Sequence, residues 1–278
     1  MTDQLEKARR NLDRLANDVG QELQRVCRQI RYDKLDGLDF ADVILGLLAR
    51  AYQLWVVALL SPGSWTTPVS PLVLRALADS TITTAWLAAN PGTAEQYKLY
   101  SAGRLKLLAE HWRTRETPET TDFASAYADE LTEIVNSERL AAALPVELGS
   151  WNDKDIRAMA IETGLKDIYD LAYSPMSAEA HGEWMPLRRR FMRPCTEELH
   201  PTHWLPLFER PYRITNHAPT ATVSFVVGVS IALDAVNLEF QEEFWHGVEE
   251  TVRSLVGQLL EEEAKAEEIG AESLTEET

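Results

Sequence analysis

Apolar residues recur at steps of three and four along most of this chain, and that spacing constrains its fold more than any other feature. Residues 3–31 show it most clearly, at Leu5, Ala8, Leu12, Leu15, Val19, Leu23, Val26 and Ile30. Because an α-helix turns once in about 3.6 residues, this spacing places the apolar side chains on one face. The sequence therefore predicts a long, amphipathic N-terminal helix.

The rest of the chain shows helical patterns as well, with no convincing alternating strand pattern and no internal repeat. Apolar or amphipathic segments follow at 39–60, 70–89, 93–115, 122–143 and 221–260, and proline or glycine separates several of them. Residues 182–219 contain six prolines and are expected to be irregular. We predict an all-α multi-helix bundle with long N-terminal and C-terminal helices.

Three regions are expected along the chain: an N-terminal helix (1–38), a helical core domain (39–260) and an acidic tail (261–278). The tail holds eight glutamates and one lysine, which predicts disorder. The whole chain has a formal net charge of −17. Such a charge disfavours broad, non-specific binding to nucleic acid or anionic membrane, but it is compatible with a local basic groove.

One segment raises the question of a membrane. Residues 40–60 are largely apolar and long enough to cross a bilayer, but they include Asp42, Arg50 and Gln53. Because a charge in the middle of a span is costly, a buried core helix is the better interpretation. Cys27 and Cys195 lack a paired spacing, and no secretory signal peptide is expected. These features predict a soluble cytoplasmic protein without a membrane partner.

The clearest site pattern is a stripe of polar and aromatic residues at four-residue steps, followed by an arginine run. The stripe is Tyr169, Tyr173, Ser177 and His181, and the run is Arg188, Arg189, Arg190 and Arg193. Four-residue steps keep side chains on one helix face, where each polar group would need a partner if buried. Pro175 interrupts the stripe, so either the helix kinks there or Ser174 caps a new helix.

Each group in this region has a functional and a structural interpretation. Arg75 and Asp79 lie four residues apart on an apolar helix. They form either a structural ion pair or part of a pocket with Ser177 and His181. His181 is either a general acid or base, or a helix cap or satisfied core group. The arginine run either binds phosphate or pairs with the protein's own carboxylates.

No metal or other cofactor is expected. Cys195, His200, His203 and His217 do not have the spacing of a common zinc site, and they lie among prolines. Glycine-rich phosphate loops and dinucleotide-binding fingerprints are also missing from the sequence.

The motif around the stripe resembles the hallmark of a widespread bacterial helical family of unknown function. The resemblance covers about residues 40–190 and includes Trp151, Ile156, Arg157, Met159, Ala160, Gly164, Tyr169, Tyr173, Ser177, His181 and Gly182. Its members carry an upstream R-x3-E helix, to which Arg75 and Asp79 are similar. The chain departs from the family pattern at Asp79, which replaces glutamate, and at Pro175.

That family is distantly similar to the HEPN helical domains, many of which are metal-independent ribonucleases of toxin–antitoxin and antiphage systems. HEPN signatures place an arginine shortly before the histidine on one helix, whereas Ser177 lies one turn before His181 here. If the chain cleaves RNA, Arg75 must supply the cation from another helix.

The resemblance implies a HEPN-like endoribonuclease or nucleotide-processing protein of a bacterial defence or toxin–antitoxin system. His181 would transfer protons, Arg75 would stabilise the phosphorane, and Ser177 and the two tyrosines would orient RNA or a nucleotide. The arginine run would guide the substrate backbone, and a homodimer or a cognate protein partner is expected. The alternative is a non-catalytic partner-binding or ligand-sensing module, in which the polar stripe fixes helix packing.

Overall fold

A computed structural model describes residues 3–30, 38–114, 121–137, 151–196, 204–208, 214 and 216–275. Helices dominate these residues, which confirms the predicted all-α multi-helix bundle. Contacts divide the chain into two compact units: residues 1–31, 44–88 and 156–278, and residues 32–43 with 89–155. The three regions predicted from the sequence stay a prediction.

The helices are numbered in chain order. Their bounds are α1 (Asp3–Cys27), α2 (Leu38–Leu60), α3 (Ser70–Ala89), α4 (Ala94–Thr114), α5 (Thr121–Ser137), α6 (Ile156–Glu162), α7 (Lys166–Ile168), α8 (Ser174–Ala180), α9 (Trp184–Phe191), α10 (His217–Ala235) and α11 (Glu242–Thr275). Single 3₁₀ turns cover Pro62–Trp65 and Pro91–Thr93, and a π-helical turn covers Tyr169–Tyr173. Residues 261–275 form the end of α11 in the structure, although their composition predicts disorder.

The segment predicted to be irregular contains regular structure. Its helix α9 has Pro186 in the first turn, where the missing N–H of proline interrupts no helical hydrogen bond. Two short strands follow, β1 (Met192–Pro194) and β2 (Trp204–Pro206), which pair antiparallel with Pro194 opposite Trp204. The expectation of irregular chain throughout 182–219 is therefore wrong, because the described part of this segment holds a helix and a small two-stranded sheet.

The first unit buries the predicted apolar face of α1 against α11. Leu12, Val19 and Leu23 on α1 are buried, as are Val252 and Leu259 on α11. The periodicity of these two helices therefore predicted the faces that form this part of the core.

Two helices, α2 and α10, are long and apolar enough to cross a membrane by length and composition. In their most apolar windows, 44% and 56% of the residues are buried inside the protein. Trp55 of α2 stacks on Phe225 of α10 with 4.8 Å between ring centres, and its indole N–H donates to the Thr222 hydroxyl at 2.9 Å. Both helices thus contribute side chains to the core of the protein, and the soluble, cytoplasmic character stays a prediction.

Close contact with α10 holds α3 in the core. The Thr81 hydroxyl lies 3.1 Å from the Ser224 carbonyl oxygen, and a Cβ atom added to Gly228 would lie 3.0 Å from the Thr81 hydroxyl. Near its first residue, the Ser70 hydroxyl lies 2.6 Å from Nδ1 of the fully buried His217. These contacts fix the helix that carries Arg75 and Asp79.

The second unit is built around the packing of α4 against α5. Ala109, Ala128 and Leu131 are buried between these helices. Lys98 of α4 pairs with Asp39 at 2.8 Å within the same unit. The predicted helix residues 138–143 lie outside the described residues.

Candidate functional site

The α3 helix supplies two charged groups to an otherwise buried surface. Its residues Leu77, Ala78 and 80–87 are buried, whereas Arg75 and Asp79 are half-buried. Because the two residues are four apart, they share a helix face. The sequence predicts that each of these two groups contacts a polar group from a neighbouring helix.

Arg75 contacts the tyrosine stripe. Its guanidinium carbon lies 5.5 Å from the centre of the Tyr173 ring, within the range of a cation–π interaction. Tyr173 stacks on Tyr169 with ring centres 5.4 Å apart and planes 22° apart. The structure therefore brings Arg75, Tyr173 and Tyr169 together, and we call these three residues the Arg75–tyrosine cluster.

A π-helical turn allows the stripe to pass Pro175 without a break. The backbone N–H of Ser174 donates to the Tyr169 carbonyl five residues earlier, and residues from Ile168 to Ser174 keep right-handed helical backbone angles. Pro175 lies in the first turn of α8, a position at which a helix tolerates the missing N–H of proline. The alternative in which Ser174 caps a new helix is therefore wrong; the helix continues past Pro175 through a widened turn, a feature at which helices commonly kink.

Ser177 and His181 lie further along the same helical path. Ser177 is half-buried, and its carbonyl accepts a hydrogen bond from the His181 backbone N–H at 3.0 Å. His181 ends α8, and Gly182 follows in the left-handed region with φ of 66°. The His181 ring is exposed and has no side-chain partner among the described residues. His181 therefore lies at the C-terminal cap of α8, as one structural interpretation has it, whereas its interpretation as a satisfied core group is wrong.

Asp79 does not form the structural ion pair that the sequence suggested. Within the described part of the chain, no ion pair joins Asp79 to Arg75. Burial raises the pKa of the Asp79 carboxyl, and the positive charges of Arg50 and Arg75 oppose that shift without cancelling it. The carboxyl is thus held near two guanidinium groups but in a poorly solvated position.

Arg50 is a functional candidate that sequence reasoning missed. From α2 it reaches α3, where Nη1 donates to the Ser80 hydroxyl and lies 3.4 Å from the Ala76 carbonyl oxygen. In the sequence, the charge of Arg50 served only as an argument against a membrane span over residues 40–60. An arginine in an apolar helix needs a polar destination, and that was the signal available.

The arginine run was interpreted either as a phosphate-binding group or as a set of partners for the protein's own carboxylates, and its members differ in this respect. Arg190 pairs with Glu179 of α8 through Nε at 2.8 Å and Nη2 at 2.7 Å, and only 14% of the Glu179 side chain is exposed. Arg188 lies over the Trp204 ring at 4.2 Å. Arg189 and Arg193 are exposed and pair with no carboxylate among the described residues. One of the four arginines is therefore used in an internal ion pair.

Histidine and cysteine side chains do not assemble into a metal centre in the described residues. A group of three or more histidine, cysteine or acidic residues able to hold a metal ion is not found there. His217, one candidate, is fully buried and bonded to Ser70, and burial lowers the pKa of its imidazole to about 4. His200 and His203 lie outside the described residues.

Comparison with known proteins identifies one family. The model of a family of unknown function, DUF5677, matches residues 41–198, which include Arg75, Asp79, the tyrosine stripe and the arginine run. Neither the curated proteins nor the solved structures contain a match to this chain.

Proposed function

The chain belongs to the DUF5677 family of unknown function, and on that premise we propose that it is a HEPN-like protein that binds RNA or a nucleotide and cleaves it without a metal. The observation that carries this proposal is the position of the Arg75 guanidinium over Tyr173, which itself stacks on Tyr169. A cation beside stacked aromatic rings suits a ligand that combines a phosphate with a base.

Charge in the cluster also favours an anionic ligand. Arg50 and Arg75 both act on Asp79, and the poorly solvated carboxyl offsets at most one of the two positive charges. The tyrosine rings and Ser177 are half-buried, so each keeps some surface that a ligand can reach.

His181 is the proposed proton-transfer group. Its exposed imidazole is the side-chain type best suited to accept a proton near neutral pH. His181 would take the proton of a ribose 2′-hydroxyl, the 2′-oxygen would attack phosphorus, and the bond to the 5′-oxygen would break. The leaving 5′-oxygen takes up a proton from solvent water, so the products are a 2′,3′-cyclic phosphate and a 5′-hydroxyl. Arg75 would stabilise the charge of the phosphorane.

Cleavage assays in the presence of a chelator test this chemistry. The His181→Ala variant should cleave labelled RNA at least about a hundredfold more slowly than the parent, since general acid–base catalysis typically contributes that much. His111→Ala, which removes an exposed histidine on α4, is the matched control and should keep the parental rate. Equal rates for the parent and His181→Ala would contradict the catalytic proposal.

A non-catalytic ligand-sensing or partner-binding module is the second candidate. It is favoured by the internal contacts of two key arginines, Arg75 on Tyr173 and Arg190 on Glu179. If these contacts serve packing alone, Arg75→Ala should lower the melting temperature by several degrees and leave ligand affinity unchanged in the folded fraction. A functional cluster predicts a lower ligand affinity in the folded fraction, whatever the change in melting temperature.

A further inference from the structure

We propose that α9, β1, β2 and Phe208 form a second surface that binds single-stranded RNA, an inference that rests on the proposed function and narrows its substrate. We call this surface the arginine–aromatic platform. Its ligand would be a strand several nucleotides long, whereas the Arg75–tyrosine cluster suits one phosphate and its neighbouring base.

The cations of the platform lie in a segment free of acidic residues. Residues 184–196 contain four arginines and no carboxylate, and this segment lies between Glu183 and Glu197 in a chain with a net charge of −17. Glu179 neutralises Arg190, whereas Arg189 and Arg193 are exposed and have no carboxylate partner among the described residues. The platform is therefore a local positive patch, which favours a polyanion over a neutral partner.

Exposed aromatic and apolar side chains lie among these cations. Phe208 is 94% exposed, Trp184 56% and Met185 64%. Trp184 precedes Arg188 by four residues on α9, so the two share a helix face. Arg188 in turn lies over the ring of Trp204 on β2. Alternating guanidinium groups and aromatic rings are what proteins use to stack the bases of unpaired strands and to contact their phosphates.

The ion pair between Arg190 and Glu179 connects the platform to the proposed catalytic helix. Glu179 lies on α8, between Ser177 and His181, and its carboxylate receives two N–H groups from α9. A strand bound along α9 would thus be held against the helix that carries the proposed catalytic side chains. Single-stranded RNA is favoured over duplex RNA because Phe208 and Trp184 need unpaired bases on which to stack.

Fluorescence anisotropy with two probes tests the platform. The first probe is a labelled, 2′-O-methylated RNA strand of about twelve nucleotides, which cannot be cleaved, and the second is labelled adenosine monophosphate. The test variants are Phe208→Ser and the double variant Arg189→Ala/Arg193→Ala, all at exposed positions. The double variant Arg14→Ala/Arg104→Ala removes two exposed arginines from α1 and α4 and is the control for net charge.

Both platform variants should bind the strand at least about fivefold more weakly than the parent, with mononucleotide affinity changed by less than about twofold. The charge control should stay within about twofold for both probes. If both platform variants bind the strand as tightly as the parent does, the platform proposal is wrong. If Arg75→Ala still weakens mononucleotide binding in that case, the proposed function stands without it.

Three other results are decisive. If the platform variants lose strand binding while Arg75→Ala keeps both affinities, the platform stands and the proposed site fails. If the parent binds neither probe, both proposals are wrong. If Phe208→Ser converts a dimer to a monomer in light scattering and leaves strand affinity unchanged, the surface is a protein interface and the platform is wrong.

Discussion

The guanidinium carbon of Arg75 lies 5.5 Å from the centre of the Tyr173 ring, which joins a helix in the core to the tyrosine stripe far along the chain. The contact places a permanent cation beside two stacked phenol rings. It also orients the arginine, because a guanidinium over an aromatic face loses part of its rotational freedom. The same contact can therefore serve packing and ligand binding, and the two contributions have separate measurable consequences.

The energetic weight of this contact can be measured with a double-mutant cycle. Arg75→Met and Tyr173→Leu should show a coupling of about 0.5–1 kcal/mol in the free energy of unfolding, as expected for a partly exposed cation–π pair. Urea denaturation gives the four stabilities. Arg14→Met combined with Tyr173→Leu is the control cycle, and its two effects should add. A coupling of zero for the first pair would mean that the contact carries no stability.

Replacement of Asp79 by asparagine should stabilise the protein near neutral pH. Because burial raises the pKa of this carboxyl despite Arg50 and Arg75, the ionised form is the less favourable one in the folded state. In the pH range between the ordinary and the raised pKa, the folded state binds more protons than the unfolded state, so the carboxyl lowers stability as the pH rises. Urea denaturation of Asp79→Asn at pH 7 should give a higher midpoint than the parent, and a lower midpoint would contradict the shift.

Acidification should destabilise the fold through His217. Burial lowers the pKa of His217 from 6.5 to about 4, so between those values the unfolded state binds more protons. The free energy of unfolding should fall by about 2 kcal/mol between pH 7 and pH 5 from this group. In His217→Gln the pH dependence over that range should be weaker, whereas His111→Gln should keep the parental slope. An unchanged slope in His217→Gln would show that other groups dominate.

The close approach of α3 and α10 predicts a destabilising Gly228→Ala substitution. The added methyl group would lie 3.0 Å from the buried Thr81 hydroxyl, which is bonded to the carbonyls of Leu77 and Ser224, so this side chain or the helix spacing must give by a few tenths of an ångström. Overpacking of this kind costs about 1–3 kcal/mol, which thermal or urea unfolding detects. Gly257→Ala on α11 is the matched control, since no atom lies within 4 Å of the added group. That control should be neutral or stabilising by up to about 1 kcal/mol.

Local patterns predicted the helices well, because their causes lie within a few residues. The apolar spacing in 3–31 predicted α1, which ends at Cys27, and the proline and glycine after Leu60 marked the end of α2. Helix α9 was not predicted, because prolines such as Pro186 indicated irregular chain. A proline in the first turn of a helix is nevertheless tolerated.

Long-range relationships were not available from the sequence. The contact between Arg75 and Tyr173 depends on how α3 packs against the π-helical turn, and the position of Arg50 depends on the packing of α2 against α3. The π-helical turn itself depends on a hydrogen bond from Ser174 to Tyr169, for which Pro175 was the only indication. The sequence thus indicated candidate residues, whereas how they meet depends on packing between elements that are distant in the chain.

Hydrogen–deuterium exchange with saturating RNA tests the central claim most directly. If RNA or a nucleotide binds at the Arg75–tyrosine cluster, backbone exchange in peptides covering residues 169–181 should slow when the ligand is added to the parent. The same protection should be weaker or missing in Arg75→Ala at equal ligand concentration, while Arg14→Ala behaves as the parent does. Unchanged exchange across 169–181 at a ligand concentration that saturates binding, or no binding at all, would contradict the account.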